Sequence, residues 1–525
     1  DKAVTKTAEY VYKTVKSPQV GSVGGEWAVM ELARSGYDVP ESYYRDYYAT
    51  VEEYVKACDG VLHTKKYTEY SRVILALTAI GKDPSNVAGY DLLKPLGDYD
   101  RTIWQGLNGP IWALIALDTG EYPIPRNTEA KTQATREMYV DRILECQLSD
   151  GGFSLFGGTS SASSGDGVSD PDITGMALQA LAKYQDRADV KKATDEALAV
   201  MSKKQDETGG FSSWGTMNSE SVVQMIVALC ELGIPLDDKR FVKNGKTLLD
   251  NLMTFAQPDG GFAHTLSGDG NNQMATEQAL YGLIAAQRLR DGKPSLYRMT
   301  DALKITGSAP PGPKRGEGLK TKNEAVRPVP ITEPGKTFED AYTHENLTAI
   351  DALAARGIVG GRGDGNFYPE DTMTRAEYCA IVVRALGIQL VAQGGGTYPF
   401  SDVDIGEWYA YYVYTAAFYK LVSGIGDNLF NPEGTITRQE AAVMTARAAA
   451  LCGINTVLTP GETRDVLAQF GDYVASATWA REALAACYRE DILSEADMDI
   501  RPNDAVTRGE IAQMLFNMLG AGNLI

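Results

Sequence analysis

Histidine occurs three times in 525 residues and cysteine six times, and neither is clustered. His63, His264 and His344 are too dispersed to outline a metal centre, and no C-x-x-C spacing suggests zinc or dithiol chemistry. The cysteines do not describe a disulfide scaffold either. Cys146, Cys230, Cys379, Cys452 and Cys487 fall among apolar neighbours in helical patterns, where a thiol behaves as a small hydrophobe. Cys58 has no evident place, and the even count leaves bridges open. No apolar run approaches the roughly 20 residues of a membrane span and no signal-type run stands at the start, so no membrane insertion is expected. If the chain is exported, Asp1 lies near a mature terminus. Positive charge is also short: 50 Lys and Arg against 69 Asp and Glu give −19. Most of the deficit lies in residues 338–525, where 12 basic face 25 acidic side chains, a difference of −13, and only one of the twelve is Lys. Such a surface argues against nucleic acid and anionic membranes as partners, since both demand a basic patch.

Against that acidic background a few arginines stand out by position. Thr374-Arg375-Ala376-Glu377, Thr437-Arg438-Gln439-Glu440 and Thr507-Arg508-Gly509-Glu510 each open a helical stretch. Thr followed three residues later by Glu is a capping box, in which both side chains satisfy first-turn N–H groups. The intervening Arg faces the positive end of the helix dipole, at a cost of roughly 0.3–1 kcal/mol. An arginine placed there three times points to an anion, the alternative being that it pairs with acids of its own domain.

The surroundings repeat as well. Phe338-Glu339-Asp340, Phe400-Ser401-Asp402 and Phe470-Gly471-Asp472 precede the arginines, with Asp-to-Arg separations of 35, 36 and 36 residues. Between them lie an amphipathic helix and a turn, glycine-rich in the first two copies, such as Gly357-Ile358-Val359-Gly360 and Leu421-Val422-Ser423-Gly424. Units of this period bury their apolar faces only against one another. The pattern resembles three S-layer homology (SLH) repeats. The resemblance implies a three-pronged helical spindle, one helix per repeat in a central bundle, with grooves that hold a secondary cell-wall polysaccharide, commonly pyruvylated. It assigns Arg375, Arg438 and Arg508 to the ligand carboxylate, which a guanidinium fork fits in plane, Trp408 and Trp479 to sugar faces, and Gly424 to the groove turn. Repeat 1 has His344-Glu345-Asn346 where Trp is expected, and repeat 3 has Ser494-Glu495-Ala496-Asp497 in place of the glycine turn. The Arg438 groove is therefore expected to be the principal site.

The first 300 residues carry a different repeat. Gln147 to Phe153, Gln205 to Phe211 and Gln257 to Phe262 all end in Gly-Gly-Phe, each between two apolar-periodic helices. Inner helices, apolar nearly all round, are expected near 27–33, 71–80, 110–117, 175–181, 222–232 and 278–289. Outer partners are expected near 3–16, 41–57, 89–96, 129–147, 187–204 and 240–256. Six of each make a closed α6/α6 toroid. The Gln…Gly-Gly-Phe turns resemble the QW-type motif of terpene cyclases and protein prenyltransferases, which fixes a fold and leaves activity open.

Within that resemblance the segment Ser169-Asp170-Pro171-Asp172-Ile173-Thr174 departs from both enzyme patterns. Ile173 stands where the cyclase motif has a second Asp beside its protonating acid, and Asp172 stands where the transferase has a Cys zinc ligand. No Cys-Gly-Glu-Gln thioester occurs. Asp170 also reads as an N-cap, with Pro171 and Asp172 suited to a first turn. Parallel inner helices would nonetheless bring Asp172, Glu220 and Glu277 to one mouth with Trp214 and His264, where carboxylates can act on a glycan. No cofactor or metal is expected; calcium at Asp166, Asp170 and Asp172 is the one cation site considered.

The expected protein is mainly α: a toroid at 1–305, a Pro/Gly-rich tether at 306–337 that includes Pro310-Pro311-Gly312-Pro313, and SLH repeats at 338–395, 396–460 and 461–525. At about 3.1 Å per residue that tether reaches on the order of 80 Å. Function is then that of a secreted bacterial cell-wall or S-layer protein, with the ring more a binding or scaffolding module, for an unspecified ligand, than an enzyme. The alternative is a wall-displayed enzyme acting on a glycan or terpenoid.

Overall fold

In a computed structural model, which describes residues 2–155, 168–213, 215–268, 270–306, 316–391, 399–494, 497 and 499–525, the chain divides into units Asp1–Gly307 and Ser308–Ile525. The first holds α1 (Lys2–Thr14), α2 (Glu26–Ser35), α3 (Glu41–Ala57), α4 (Thr68–Ala79), the one-turn α5 (Tyr99–Thr102) and α6 (Asn108–Thr119). It continues with α7 (Arg136–Glu145), α8 (Pro171–Leu181), α9 (Ala188–Lys204), α10 (Ser219–Glu231), α11 (Leu248–Met253) and α12 (Gln273–Arg290). The even-numbered helices pack each on the next, and α12 returns to α2, so the inner ring closes. Around it lie α1, α3, α7, α9 and α11. The outer helix expected at 89–96 is replaced by a 3-10 turn, Lys94–Gly97, followed by α5; Pro95 removes a donor that a longer helix would need.

The Gly-Gly-Phe turns tie the two layers. Gly151, Gly209 and Gly260 have φ of +99°, +85° and +103°, the left-handed region that favours glycine. Their neighbours Gly152, Gly210 and Gly261 leave no room for a Cβ against Ser169, Asn251 and Asn271. Phe153, Phe211 and Phe262 fill the core. Gln147 donates both to its own turn, at Gly151, and to Ala193 on α9, and Gln205 likewise to Gly209 and Phe241. These glutamines clip successive outer positions together.

The ring's seam rests on buried charge. The Arg34 guanidinium on α2 and that of Arg288 on α12 share Asp301, with Arg34 Nη1 at 2.7 Å from the carboxylate. Both arginines also donate to backbone carbonyls, those of Leu296 and Pro294 among them.

The second unit contains α13 (Leu347–Ala354), α14 (Arg375–Ala385), α15 (Ala410–Phe418), α16 (Arg438–Leu451), α17 (Pro460–Leu467), α18 (Thr478–Arg489) and α19 (Arg508–Ala521). Helices α14, α16 and α19 pack together as the central bundle. The prong helix of each repeat lies on the bundle helix of the preceding one: α15 on α14, α18 on α16, and α13, closing the cycle, on α19. All three bundle helices start on complete capping boxes.

The expected tether is for the most part a strap on this unit. Gly318 N–H donates to Asn523 O, Asn323 N–H to Leu451 O, Arg327 N–H to Leu386 O, and Thr332 and Glu333 N–H to Ala355 O. The strap thus crosses the C-terminal ends of α19, α16, α14 and α13 in turn, supplying donors to carbonyls that helix ends leave unpaired. Val326 is fully buried in the unit's core. Residues 307–315, with the four-residue Pro-Pro-Gly-Pro run, lie outside the described residues.

Candidate functional site

The three motif arginines occupy equivalent places. Each Nε donates to a turn carbonyl of the next repeat: Arg375 to Phe430 O at 2.9 Å, Arg438 to Ile500 O at 3.0 Å, and Arg508 to Phe367 O at 2.9 Å. The same turns are held from behind, because Asp402, Asp472 and Asp340 each accept two consecutive N–H groups, those of Phe430 and Asn431, Ile500 and Arg501, and Phe367 and Tyr368. The Phe-x-Asp and Thr-Arg-x-Glu motifs are therefore two sides of one inter-repeat clasp. This corrects the expectation of displayed guanidinium groups: Arg375, Arg438 and Arg508 are only 7%, 5% and 8% exposed.

Their charges are met unequally. Arg375 Nη1 lies 3.5 Å from Glu440, the capping-box glutamate of the next bundle helix. Arg438 Nη1 lies 3.1 Å from Glu510, the next such glutamate, and its Nη2 3.5 Å from Asp497. By the same rotation Arg508 should meet Glu377, but among the described residues no carboxylate forms an ion pair with it. Its Nη2 donates to Gly360 O at 2.8 Å. Burial and the neighbouring Arg362 guanidinium push its pKa down. Arg438, expected to lead, is thus the most fully neutralised of the three, because Asp497 occupies the altered turn of repeat 3. Glu495 and Ala496 of that turn lie outside the described residues.

Beside the clasps stand exposed apolar faces. Trp408 and Trp479 are 56% and 60% exposed. The Trp479 prong is fixed to the start of α16 by the Ala477 N–H, which donates to Gln439. Repeat 1 carries Tyr342, also exposed, in the same prong as His344, whose Nε2 is 2.9 Å from Glu370. Tyr342 lies four residues after Phe338, as the exposed Val474 lies four after Phe470, a position that carries no Trp in either repeat. Gly424 has φ +77° and sits where a Cβ would strike Leu429 O and the Phe400 ring.

The ring's inner helices all enter from one end. Asp170, Asn218 and Asn272 cap α8, α10 and α12 by accepting from Ile173, Ser221 and Ala275 N–H, so Asp170 is a cap. Asp172 is not: its Oδ1 is buried without a partner among the described residues, and burial with the Asp170 carboxylate pushes its pKa up to about 6. Glu220 binds His264 Nδ1 at 2.8 Å and accepts from Ser219 Oγ. Asp172 feels both Glu220 and His264 electrostatically. Glu277 does not join them. It accepts from Gly24 N–H and Gln273 Nε2 at the α12–α2 seam, and burial raises it to about 8. Two further acids on α2 escaped the sequence reading. Glu26 faces Arg72 at 3.4 Å, and Glu31 is fully buried with neither oxygen hydrogen-bonded among the described residues, so burial drives its pKa well up. Trp214 and Asp166 lie outside the described residues. Among the described residues no group of three His, Cys, Asp or Glu is placed to hold a metal, and no helix is long and apolar enough to cross a membrane.

Below the mouth an aromatic floor crosses the ring. Trp27 on α2 meets Trp112 on α6, two positions away in the ring, with centroids 5.4 Å apart, and Tyr281 on α12 at 5.7 Å; Trp112 continues to Tyr297 at 6.2 Å.

A helical ring followed by a threefold clasped bundle defines a two-part protein, and the family comparison identifies the second part. The S-layer homology domain matches at residues 337–379, 399–442 and 469–512. Curated relatives include an exoglucanase of Acetivibrio thermocellus, 29% identical over 38% of this chain and 17% of its own length. The middle cell wall protein of Brevibacillus brevis is 30% identical over 34% of this chain and 15% of its own. The surface layer protein of Brevibacillus choshinensis is 37% identical over 21% and 10%. The chain therefore spans less than a fifth of the length of these relatives. Among solved structures, an unsaturated glucuronyl hydrolase from Bacillus sp. GL1 aligns with a TM-score of 0.39 at 16% identity, covering 56% of this chain and 97% of that one. An apo type II terpene cyclase from Scytonema aligns with 0.38 at 10%, covering 55% and 100%. The C-terminal unit is a set of three SLH repeats, and the protein is a cell-surface protein of the bacterial wall.

Proposed function

We propose that the SLH unit anchors the protein non-covalently to an acidic secondary cell-wall polysaccharide and that the ring is displayed from it as a ligand-binding module. The carrying observation is the clasp ladder that closes on a glutamate at Arg375 and Arg438 and stays open at Arg508. A buried guanidinium with no carboxylate in ion-pair contact, and only the longer-range pull of Glu377, Asp371 and Asp340, is costly, and a ligand carboxylate, such as a pyruvate ketal, supplies the missing contact in the bidentate geometry guanidinium favours. Tyr342 and the exposed tryptophans offer flat faces to adjoining sugars.

Retention of the full chain on purified wall polysaccharide tests this. Arg508→Ala is expected to reduce retention by at least about tenfold, or roughly 1.4 kcal/mol, and removal of the polymer's carboxylates to do the same to the wild type. Unchanged retention in both arms overturns the assignment.

One observation favours a second reading, hydrolysis of a glycan at the ring mouth: Asp172, with its raised pKa, beside Glu220 and His264. Reducing-sugar release from wall glycans, lost in Asp172→Asn, is its expected sign; no release by the wild type removes it.

A further inference from the structure

One position recurs in all three clasps. The residue four places ahead of each motif arginine offers its carbonyl to the motif arginine of the preceding repeat: Gly434 O accepts the Arg375 N–H, Asp504 O that of Arg438 and, closing the cycle, Asp371 O that of Arg508 at 2.9 Å. The side chain at this position decides whether a further carboxylate stands beside the guanidinium. Gly434 brings none, and Arg375 is met by Glu440. Asp504 brings one, but Arg438 already has Glu510 and Asp497. Asp371 brings one to Arg508, the arginine that lacks an ion pair among the described residues, and yet does not supply it.

Arg362 accounts for this. Its Nη1 lies 3.0 Å from Asp371 Oδ2, and both side chains are about half exposed. The Arg362 guanidinium lies over the Tyr368 ring, 5.0 Å from its centroid, and the Arg362 N–H donates to Asn366 O. Arg362 is therefore built into the turn that Arg508 itself holds through Phe367 O. Asp371 and Arg362 act on the Arg508 charge in opposite senses, so both lie within electrostatic reach of it. The acid and its restraining cation also come and go together. Gly361-Arg362-Gly363-Asp364 of repeat 1 corresponds to Gly424-Ile425-Gly426-Asp427 of repeat 2, where Gly434 leaves no acid to restrain. In repeat 3 Asp504 has Arg501 at 4.0 Å.

A half-exposed ion pair is weak, so Asp371 is held where it is by little more than Arg362. A buried guanidinium without a carboxylate is the stronger attractor, because a desolvated charge gains more from a partner. Asp497 shows the result, since in repeat 3 an acid of the turn lies on the Arg438 guanidinium. We propose that Arg362 is a positioning residue for the Arg508 groove: by withholding Asp371 it keeps Arg508 from being neutralised within the protein and leaves it for the carboxylate of the wall polysaccharide. This rests on Arg508 being the anchoring cation and adds the device that keeps it available.

Two measurements test it. Retention of the full chain on purified wall polysaccharide is expected to fall about threefold, the scale of an exposed ion pair, in Arg362→Ala, and to return in the double variant Arg362→Ala/Asp371→Asn, where no carboxylate competes. A double variant that stays weak overturns the proposal, since Arg362 then meets the ligand itself, and so does an Arg362→Ala chain retained like the wild type. A crystal structure of the Arg362→Ala chain, grown without polysaccharide, is expected to show Asp371 in ion-pair contact with Arg508; Asp371 left in solvent overturns the proposal independently of any ligand. Arg508→Ala, run alongside, separates the two readings. Retention equal to wild type in Arg508→Ala removes the anchoring assignment and the role of Arg362 with it, whereas retention lost in Arg508→Ala but kept in Arg362→Ala removes the role of Arg362 alone.

Discussion

Glu277 and Arg438 are both buried ionisable groups, but they answer differently to removal. The folded pKa of Glu277 is raised above its unfolded value by burial, to about 8, so its contribution to stability is full below the unfolded value and is lost as pH rises through the folded one. The thermal midpoint of the wild-type ring should therefore fall progressively as pH rises from about 4.5 to about 8 and level off above that. Glu277→Gln, which keeps the shape without the titration, should flatten that fall and change the midpoint little at about pH 4, below the unfolded value. Arg438 instead holds Ile500 O, Glu510 and Asp497 together. Arg438→Ala should cost about 1–3 kcal/mol in the SLH unit, because it leaves the Ile500 carbonyl without its donor and takes the counter-charge from the part-exposed Asp497, while Glu510 keeps Arg501, and calorimetry of the full chain will show the shift. Three Thr-Arg-x-Glu boxes made the positions of these arginines legible in the sequence. Their burial was not legible, because the carbonyl each one holds lies in a different repeat, between 55 and 141 residues away.

At the level of elements, the strap gives the sharpest departure from what composition suggests. Proline and glycine between 316 and 336 imply a solvated chain, but a proline-rich strand is also pre-extended, and across the helix ends it meets carbonyls in need of donors. Gly387, just past α14, has φ +62°, and a Cβ there would approach Arg327 O to 2.3 Å. Gly387→Ala should lower the stability of the SLH unit by about 1–3 kcal/mol and expose the strap to trypsin at Lys320 and Lys322, which limited proteolysis would detect. The inner helices, by contrast, were readable at once from their unbroken apolar content. The third outer helix was misread because the charged-face pattern around 89–96 does not reveal that Lys94–Gly97 turns too tightly to continue.

For the whole molecule, ring closure depends on contacts between the chain's first and last ring helices, which no local pattern reveals. Asp301 is the shared partner of Arg34 and Arg288 at that seam. Asp301→Ala should destabilise the ring by about 3–5 kcal/mol, since two buried guanidinium groups lose their counter-charge; a lowered ring transition in calorimetry is the expected outcome. The six inner helices and the period of both repeats followed from the sequence alone. Which acids share the mouth did not: Asp172, Glu220 and His264 are brought together by ring curvature, whereas Glu277 is rotated into the seam.

Along the chain, the strap precedes the first repeat, so a load carried by the polypeptide from the ring toward the wall arrives at residues 316–336 before it arrives at any bundle helix. Its few hydrogen bonds lie at successive helix ends and can be released one after another. Each released residue adds about 3.3–3.6 Å of contour. The strap is therefore the part of the SLH unit that such a load meets first, with Val326 seated in the core.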